Sequence, residues 1–232
     1  MKEKRVVFMG TPTFAVPVLE KLIENTNVVL VVSQPDKEVG RKKVKQMTPV
    51  KEIAVKHNIP VFQPEKIRKD YEPIMASKPD LIITCAYGQI IPEVLLNLPK
   101  LGAFNVHASL LPKYRGGAPI HWALINGEKQ TGVTIMYMDK GMDTGDMISK
   151  VVYDIKPEDN VGTLHEVLSS LGANLLIETL PSIINHTNER EKQDEEKASY
   201  AYNIKREDER LDLNKSGEEV INKIRGLNPF PT

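Results

Sequence analysis

Short apolar runs recurring between helical stretches constrain this chain more than any other feature. Residues 5–9, 28–32, 81–85 and 103–106 are each four or five residues long and almost wholly apolar. Runs of that length, rich in Val and Ile and apolar at every position, are strands buried on both faces of a parallel sheet. Each of the first three closes at a turn: Gly10-Thr11-Pro12, Ser33-Gln34-Pro35-Asp36, and Ala86-Tyr87-Gly88-Gln89. Between them the apolar residues recur at helical spacing, as in Phe14, Val18, Leu19 and Leu22. Thr11 or Thr13 is the expected cap of that first helix, and Thr48 of a later one that opens on Pro49. Repeated βα units of this kind predict an α/β fold, a doubly wound and mostly parallel Rossmann-like sheet. Residues 132–138 and 147–155 predict two strands joined by a loop. Residues 161–184 predict a long helix with Leu164, Val167, Leu168, Leu171, Leu175 and Leu180 along its buried stripe.

The last strand of the parallel set departs from the pattern. Residues 102–119 read GAFNVHASLLPKYRGGAP. Asn105 and His107 lie two apart, so on a strand both point to the same face. Pro112 ends the sheet, a basic glycine-rich turn follows, and Pro119 starts a helix-like run. Polar side chains at the end of a buried strand sit where open α/β sheets bind their ligands. In the loop between the two later strands, three aspartates alternate with glycines. The spacing of a calcium loop is missing there, and Asp143, beside backbone that can bend, is the one read as functional. His107 titrates near neutrality, Asn105 offers an amide donor, and Asp143 could complete a His–Asp pair. No nucleophile elbow is present, and five scattered histidines with one cysteine make a poor metal set. These residues suit direct transfer through a tetrahedral intermediate, with Asn105 and His107 donating to the oxyanion. A buried histidine with a purely structural role remains the alternative.

Composition narrows the classes. The 232 residues allow one good-sized domain with a small appendage, and 41% hydrophobic content is enough for a core. With 31 acidic and 31 basic residues the formal charge is zero, so attraction to nucleic acid must come from a local patch. Residues 37–51 are such a patch, with six Lys or Arg against Glu38 alone, and predict a flexible basic surface loop. Cys85, the single cysteine, excludes an internal disulfide and reads as core filler. No signal-peptide pattern and no span of about 20 apolar residues is evident, which points to a cytoplasmic protein. There is no G-x-G-x-x-G after the first strand, so no dinucleotide site is expected. Residues 188–197 are charged and free of large apolar side chains, as a linker would be.

The runs NVHASLLP at 105–112, RGGAPI at 115–120 and GMDTG at 141–145 come in a specific order. Together with GTPTFA at 10–15 and SQPD at 33–36, they resemble the folate-dependent formyltransferase family, and within it the branch that acts on initiator tRNA. That resemblance covers residues 4–230. It implies formyl transfer from 10-formyltetrahydrofolate, as donor substrate, to the α-amine of methionine on initiator tRNA. It makes Asn105, His107 and Asp143 the catalytic trio and requires no metal. It assigns Ser109, Leu110, Leu111 and Pro112 to folate binding, with Tyr87, Gly88 and Ile90 at the pterin pocket. It places Arg41, Lys42, Lys43 and Lys45 in a tRNA-contacting loop. The partners implied are initiator methionyl-tRNA and folate, with no membrane, the chain acting as a monomer. The division implied is a catalytic domain over 1–187, a linker over 188–206, and over 207–232 the start of a C-terminal domain otherwise absent. A related enzyme formylating a small amine, such as glycinamide ribonucleotide or an amino sugar nucleotide, shares the trio but gives no reason for the basic loop. A non-catalytic folate- or RNA-binding module is the alternative from another class.

Overall fold

The computed structural model describes residues 1–39 and 44–229. Strand β1 (Arg5–Gly10) leads through a three-ten turn at Thr13–Ala15 into helix α1 (Val16–Asn25) and then β2 (Asn27–Val32). A two-stranded ribbon, β3 (Lys37–Val39) and β4 (Val44–Gln46), precedes α2 (Pro49–Lys56) and β5 (Val61–Phe62). Next come α3 (Glu72–Ala76), β6 (Leu81–Cys85), α4 (Glu93–Leu96) and β7 (Ala103–His107). Helix α5 (Pro119–Ile125) leads to the hairpin β8 (Gln130–Tyr137) and β9 (Met147–Asp154), then α6 (Val161–Ile184) and α7 (Gly217–Arg225).

Seven strands form one sheet in the order β5-β2-β1-β6-β7-β8-β9. The first five are parallel, and β8 and β9 continue the sheet antiparallel. The chain winds outward from β1 to β5 and then returns to the other side of β1 with β6. The carboxyl ends of β1 and β6 therefore diverge, and such a point leaves a crevice for ligands. The expected doubly wound, mostly parallel architecture is the one found.

Period-two alternation sorts the core into two layers. Val6 and Phe8 of β1, Leu81 and Ile83 of β6, and Phe104 and Val106 of β7 face α1 and α6. Val7 and Met9, Ile82 and Ala103 face the opposite layer, with Ile67, Ile74 and Leu95. Helix α6 is 24 residues long, with a window of mean hydropathy 1.5, long and apolar enough by length and composition to span a bilayer. That differs from the expectation of no such span, but Leu164, Leu168, Leu176 and Leu180 are fully buried against the sheet.

Local signals held where they needed no partner. Thr48 accepts from the Lys51 amide, and Asn160 and Ser216 both form capping boxes, with Thr163 and Glu219. The cap expected from Thr11 or Thr13 is not formed: Pro12 precedes the three-ten turn, and α1 starts without a side-chain cap. Thr11 instead donates its hydroxyl to the Tyr87 carbonyl and accepts from the Gln34 amide, tying three strand ends together. Cys85 is buried as expected, and burial pushes its thiol pKa up.

Helix α7 docks on α5, where His121 Nδ1 lies 2.9 Å from the Gly226 carbonyl. A carbonyl only accepts, so Nδ1 carries a proton. Burial holds the His121 pKa below its ordinary value, against the opposing pull of the Gly226 carbonyl. His165 is lowered too, first by burial and then by His121. A histidine whose folded pKa is depressed contributes stability above its unfolded pKa, roughly 6.5, and loses it as pH falls further. Urea midpoints should therefore drop between pH 7.5 and pH 5.5, and drop less in His121→Gln. An equal drop in both proteins would show that other groups set the slope.

Candidate active site

The parity that separates the core layers also sets the site. Asn105 and His107 share a face with Ala103, away from α6. Thr84 lies across from Asn105 in register and on the same face. Its hydroxyl donates to Asn105 Oδ1 at 2.8 Å. The Asn105 amide is thereby oriented with Nδ2 outward, 3.4 Å from Asp143 Oδ1.

Asp143 reaches this point from the β8–β9 loop in the left-handed region, φ 54°. Its Oδ2 accepts from the Gly116 amide at 2.8 Å and lies 3.7 Å from His107 Nδ1. That last distance suits an ion pair but exceeds a direct hydrogen bond. The other ring nitrogen is the one held: His107 Nε2 lies 2.9 Å from the Tyr114 carbonyl, so Nε2 bears a proton. The shorter contact to the imidazole is this carbonyl, on the side opposite Asp143. Tyr114 is itself left-handed, φ 61°, with its amide on Ser199 Oγ and its hydroxyl on Glu128. Burial, reinforced by Glu128, pushes the Tyr114 phenol up to about 12. Gly116, at φ 114°, completes the turn, and a Cβ there would stand 2.8 Å from the Ala201 carbonyl.

These groups open into a cavity of about 640 Å³ at the carboxyl ends of β1, β6 and β7. Asn105, His107 and Asp143 all line it, as do Tyr87 and Gly88. The fold does not bring every expected residue there. Ile90 is 64% exposed on the outer side of its loop and is not among the lining residues. Ser109, Leu110, Leu111 and Pro112 do not line it either. Ser109 donates to the Lys113 carbonyl, its own carbonyl accepts from Thr134, and Leu111 packs on Met136 and Met147. This segment shapes the turn that carries Tyr114, because its side chains are drawn under β8.

Three residues that local patterns left out do reach the cavity: His121, His165 and Asn203. The histidines that look scattered along the chain are thus partly gathered. Phe14 packs edge-on against His165, ring centroids 5.0 Å apart. Among the described residues no cluster of His, Cys, Asp and Glu could hold a metal ion. Arg41, Lys42 and Lys43 lie outside the described residues. Lys45 stands exposed on β4, paired in register with Glu38, so the flanks of the expected loop are a ribbon. Asp36 at the foot of that ribbon is held by Gln63 and Lys51, which lower its pKa.

A family model described as formyl transferase matches residues 4–180. The chain is 60% identical over 230 residues to the methionyl-tRNA formyltransferase of Bacillus subtilis (strain 168), covering 98% of this chain and 73% of the relative. It is 57% identical over 229 residues to that of Staphylococcus epidermidis (strain ATCC 12228), covering 98% and 74%. Among solved structures, an N-formyltransferase from Helicobacter canadensis in complex with folinic acid and dTDP-3-aminofucose superimposes with a TM-score of 0.71. It is 25% identical, and the match covers 97% of this chain and 80% of that one.

One buried polar atom of a cavity-lining residue stands out. Tyr87 is 4% exposed, and its hydroxyl has no hydrogen-bond partner among the described residues. Burial alone raises its pKa to about 12. An unpaired buried hydroxyl costs about 1–3 kcal/mol, so Tyr87→Phe should unfold in urea at the same free energy or up to about 1 kcal/mol higher. A loss of more than that would mean the hydroxyl has found a partner in solution.

Proposed function

The chain belongs to the formyl transferase family, and on that premise we propose that its cavity moves a formyl group from 10-formyltetrahydrofolate to the α-amine of methionyl initiator tRNA. The observation that carries this reading is the meeting of Asn105, His107 and Asp143 at one cavity, in a chain 57–60% identical to methionyl-tRNA formyltransferases. A small-amine acceptor is the weaker reading, because the sugar N-formyltransferase likeness is far lower at 25% identity.

The cavity suits the donor substrate in size and lining. Small-molecule sites run from about 300 to 1,000 Å³ with mostly apolar walls and a few polar groups. Phe14, Ile91, Val106 and Met138 supply apolar wall here, and Asn105, His107 and Asp143 supply the few polar groups. Tyr87 and Gly88 are assigned to the pterin end. Ser109, Leu110, Leu111 and Pro112, which follow directly on the cavity-lining Ala108, are assigned to the rest of the folate.

The chemistry follows from the groups present. The amine lone pair attacks the formyl carbon, a C–N bond forms, and the carbonyl π pair moves onto oxygen. Asn105 Nδ2 and the His107 imidazolium, through Nδ1–H, are the donors to that oxygen. Asp143, with Oδ2 3.7 Å from Nδ1, takes the proton released by the attacking amine. Collapse returns the oxyanion pair to the carbonyl and breaks the bond from carbon to the folate nitrogen, which leaves with the proton that Asp143 took from the amine. In this reading the chain acts as a monomer.

Residues 1–187 make up the catalytic domain in this reading, 188–206 the connection, and 207–232 open a C-terminal domain. Arg41, Lys42, Lys43 and Lys45 contact tRNA phosphates. A protein acting on charged initiator tRNA works in the cytoplasm.

Single-turnover formylation of methionyl initiator tRNA tests the whole. His107→Ala and Asn105→Ala should each lower the rate by roughly 10²–10³. A rate unchanged in His107→Ala would take His107 out of the chemistry, and no transfer above the uncatalysed rate would leave a binding module. Transfer should weaken steeply with salt, and Lys45→Ala should reduce the slope of log K against log salt by about 1. A slope unmoved by that change would take Lys45 out of the interface.

A further inference from the structure

We propose that Gln193, in the charged segment after α6, is a positioning residue that holds Asp143 in its working conformation. The inference rests on the reading of Asp143 given above. The segment is bound to the body of the protein. Glu191 pairs by backbone with Met147 of β9, and the Ser199 and Ala201 backbone pairs with Arg115. At its centre Gln193 uses every polar atom of its side chain. Nε2 donates to the Asp143 carbonyl at 2.7 Å and to the Gly145 carbonyl at 2.8 Å. Oε1 accepts from Arg115 Nε at 2.9 Å.

The surroundings dictate an amide here. Two carbonyls on one side require a nitrogen with two hydrogens, and a guanidinium on the other requires an acceptor. Arg115 is 0% exposed and is the largest fully buried side chain, and its two terminal nitrogens grip the Glu195 carboxylate at 2.8 and 2.9 Å. That pair raises the Arg115 pKa further, so its charge is permanent. Gln193 is thus oriented by a fixed cation and in turn captures the backbone on both sides of the left-handed bend at Asp143. The next residue after Arg115 closes the ring, since the Gly116 amide donates to Asp143 Oδ2. A non-glycine residue in the left-handed region is held there against backbone preference. Gln193 holds it at its backbone, and Gly116 and Asn105 hold its carboxylate.

The test uses the full 232-residue chain. Gln193→Glu keeps size and still accepts from Arg115, but faces the two carbonyls with an oxygen; Gln193→Met is the second variant should the first fail to fold. Lys192→Ala is the neighbouring control. The expected result is a fall in kcat of about 10–100-fold with KM for the folate donor within about twofold, as for a displaced group beside a well-bound substrate. The Gly116 amide should exchange with solvent at least about tenfold faster while α6 amides do not change, a local opening rather than global loss. Unchanged kcat, or a fallen kcat with Gly116 exchange unmoved, would overturn the assignment. Faster exchange throughout α6 would overturn it as well, since Gln193 would then serve overall stability. If the unsubstituted chain transfers no formyl group, the proposed reaction fails, and Gly116 exchange alone still decides whether Gln193 holds the loop.

Discussion

Arg115 carries a positive charge into a place that water does not reach, and the catalytic face of this protein is assembled around its neutralisation. A buried guanidinium is tolerated only with a carboxylate partner and its remaining hydrogens satisfied. Glu195 supplies the carboxylate from a largely exposed position, and Gln193 supplies an acceptor. Meeting those demands draws residues 188–201 across the loop ends. Tyr114 and Gly116, either side of Arg115, then present a carbonyl to His107 and an amide to Asp143. One buried charge thus ties three sequence-distant segments to two of the candidate catalytic groups.

The sheet provides what that assembly is fastened to. Reversal of winding between β1 and β6 opens a crevice at their carboxyl ends. Strand β7 delivers Asn105 and His107 to its edge because side chains two apart share a face. The same alternation sends Phe104 and Val106 beneath α6, so the polar pair is presented by a strand whose other face is anchored in the core. The antiparallel turn of β8 and β9 then returns the chain so that Asp143 can meet them. A purely parallel continuation would have placed a helix there.

Several elements were legible from local pattern for a physical reason. Apolar runs, the Thr48 cap and two-residue alternation are satisfied by neighbours in the chain, so their signal is written locally. Strands 81–85 and 161–184 as a helix were read to the residue. The Thr11 cap was not formed, because a hydroxyl beside a helix start has competing partners, and here the Tyr87 carbonyl took it. Residues 109–112 pack under β8 on Thr134 and Met136, which the motif does not contain. The charged run 188–197 read as a linker because nothing in its composition announces that Arg115, some eighty residues earlier, needs it.

By itself, then, the sequence determined the α/β class, the winding, the identity of the polar pair on β7 and the likeness to a formyl transfer family. Those follow from periodicity and motif order. Only the tertiary structure decided which imidazole nitrogen is held, that His121 and His165 join the cavity, and that Gln193 braces Asp143. Each of these is a contact between segments far apart in the chain, and hydrogen-bond geometry exists only once the core has brought them together.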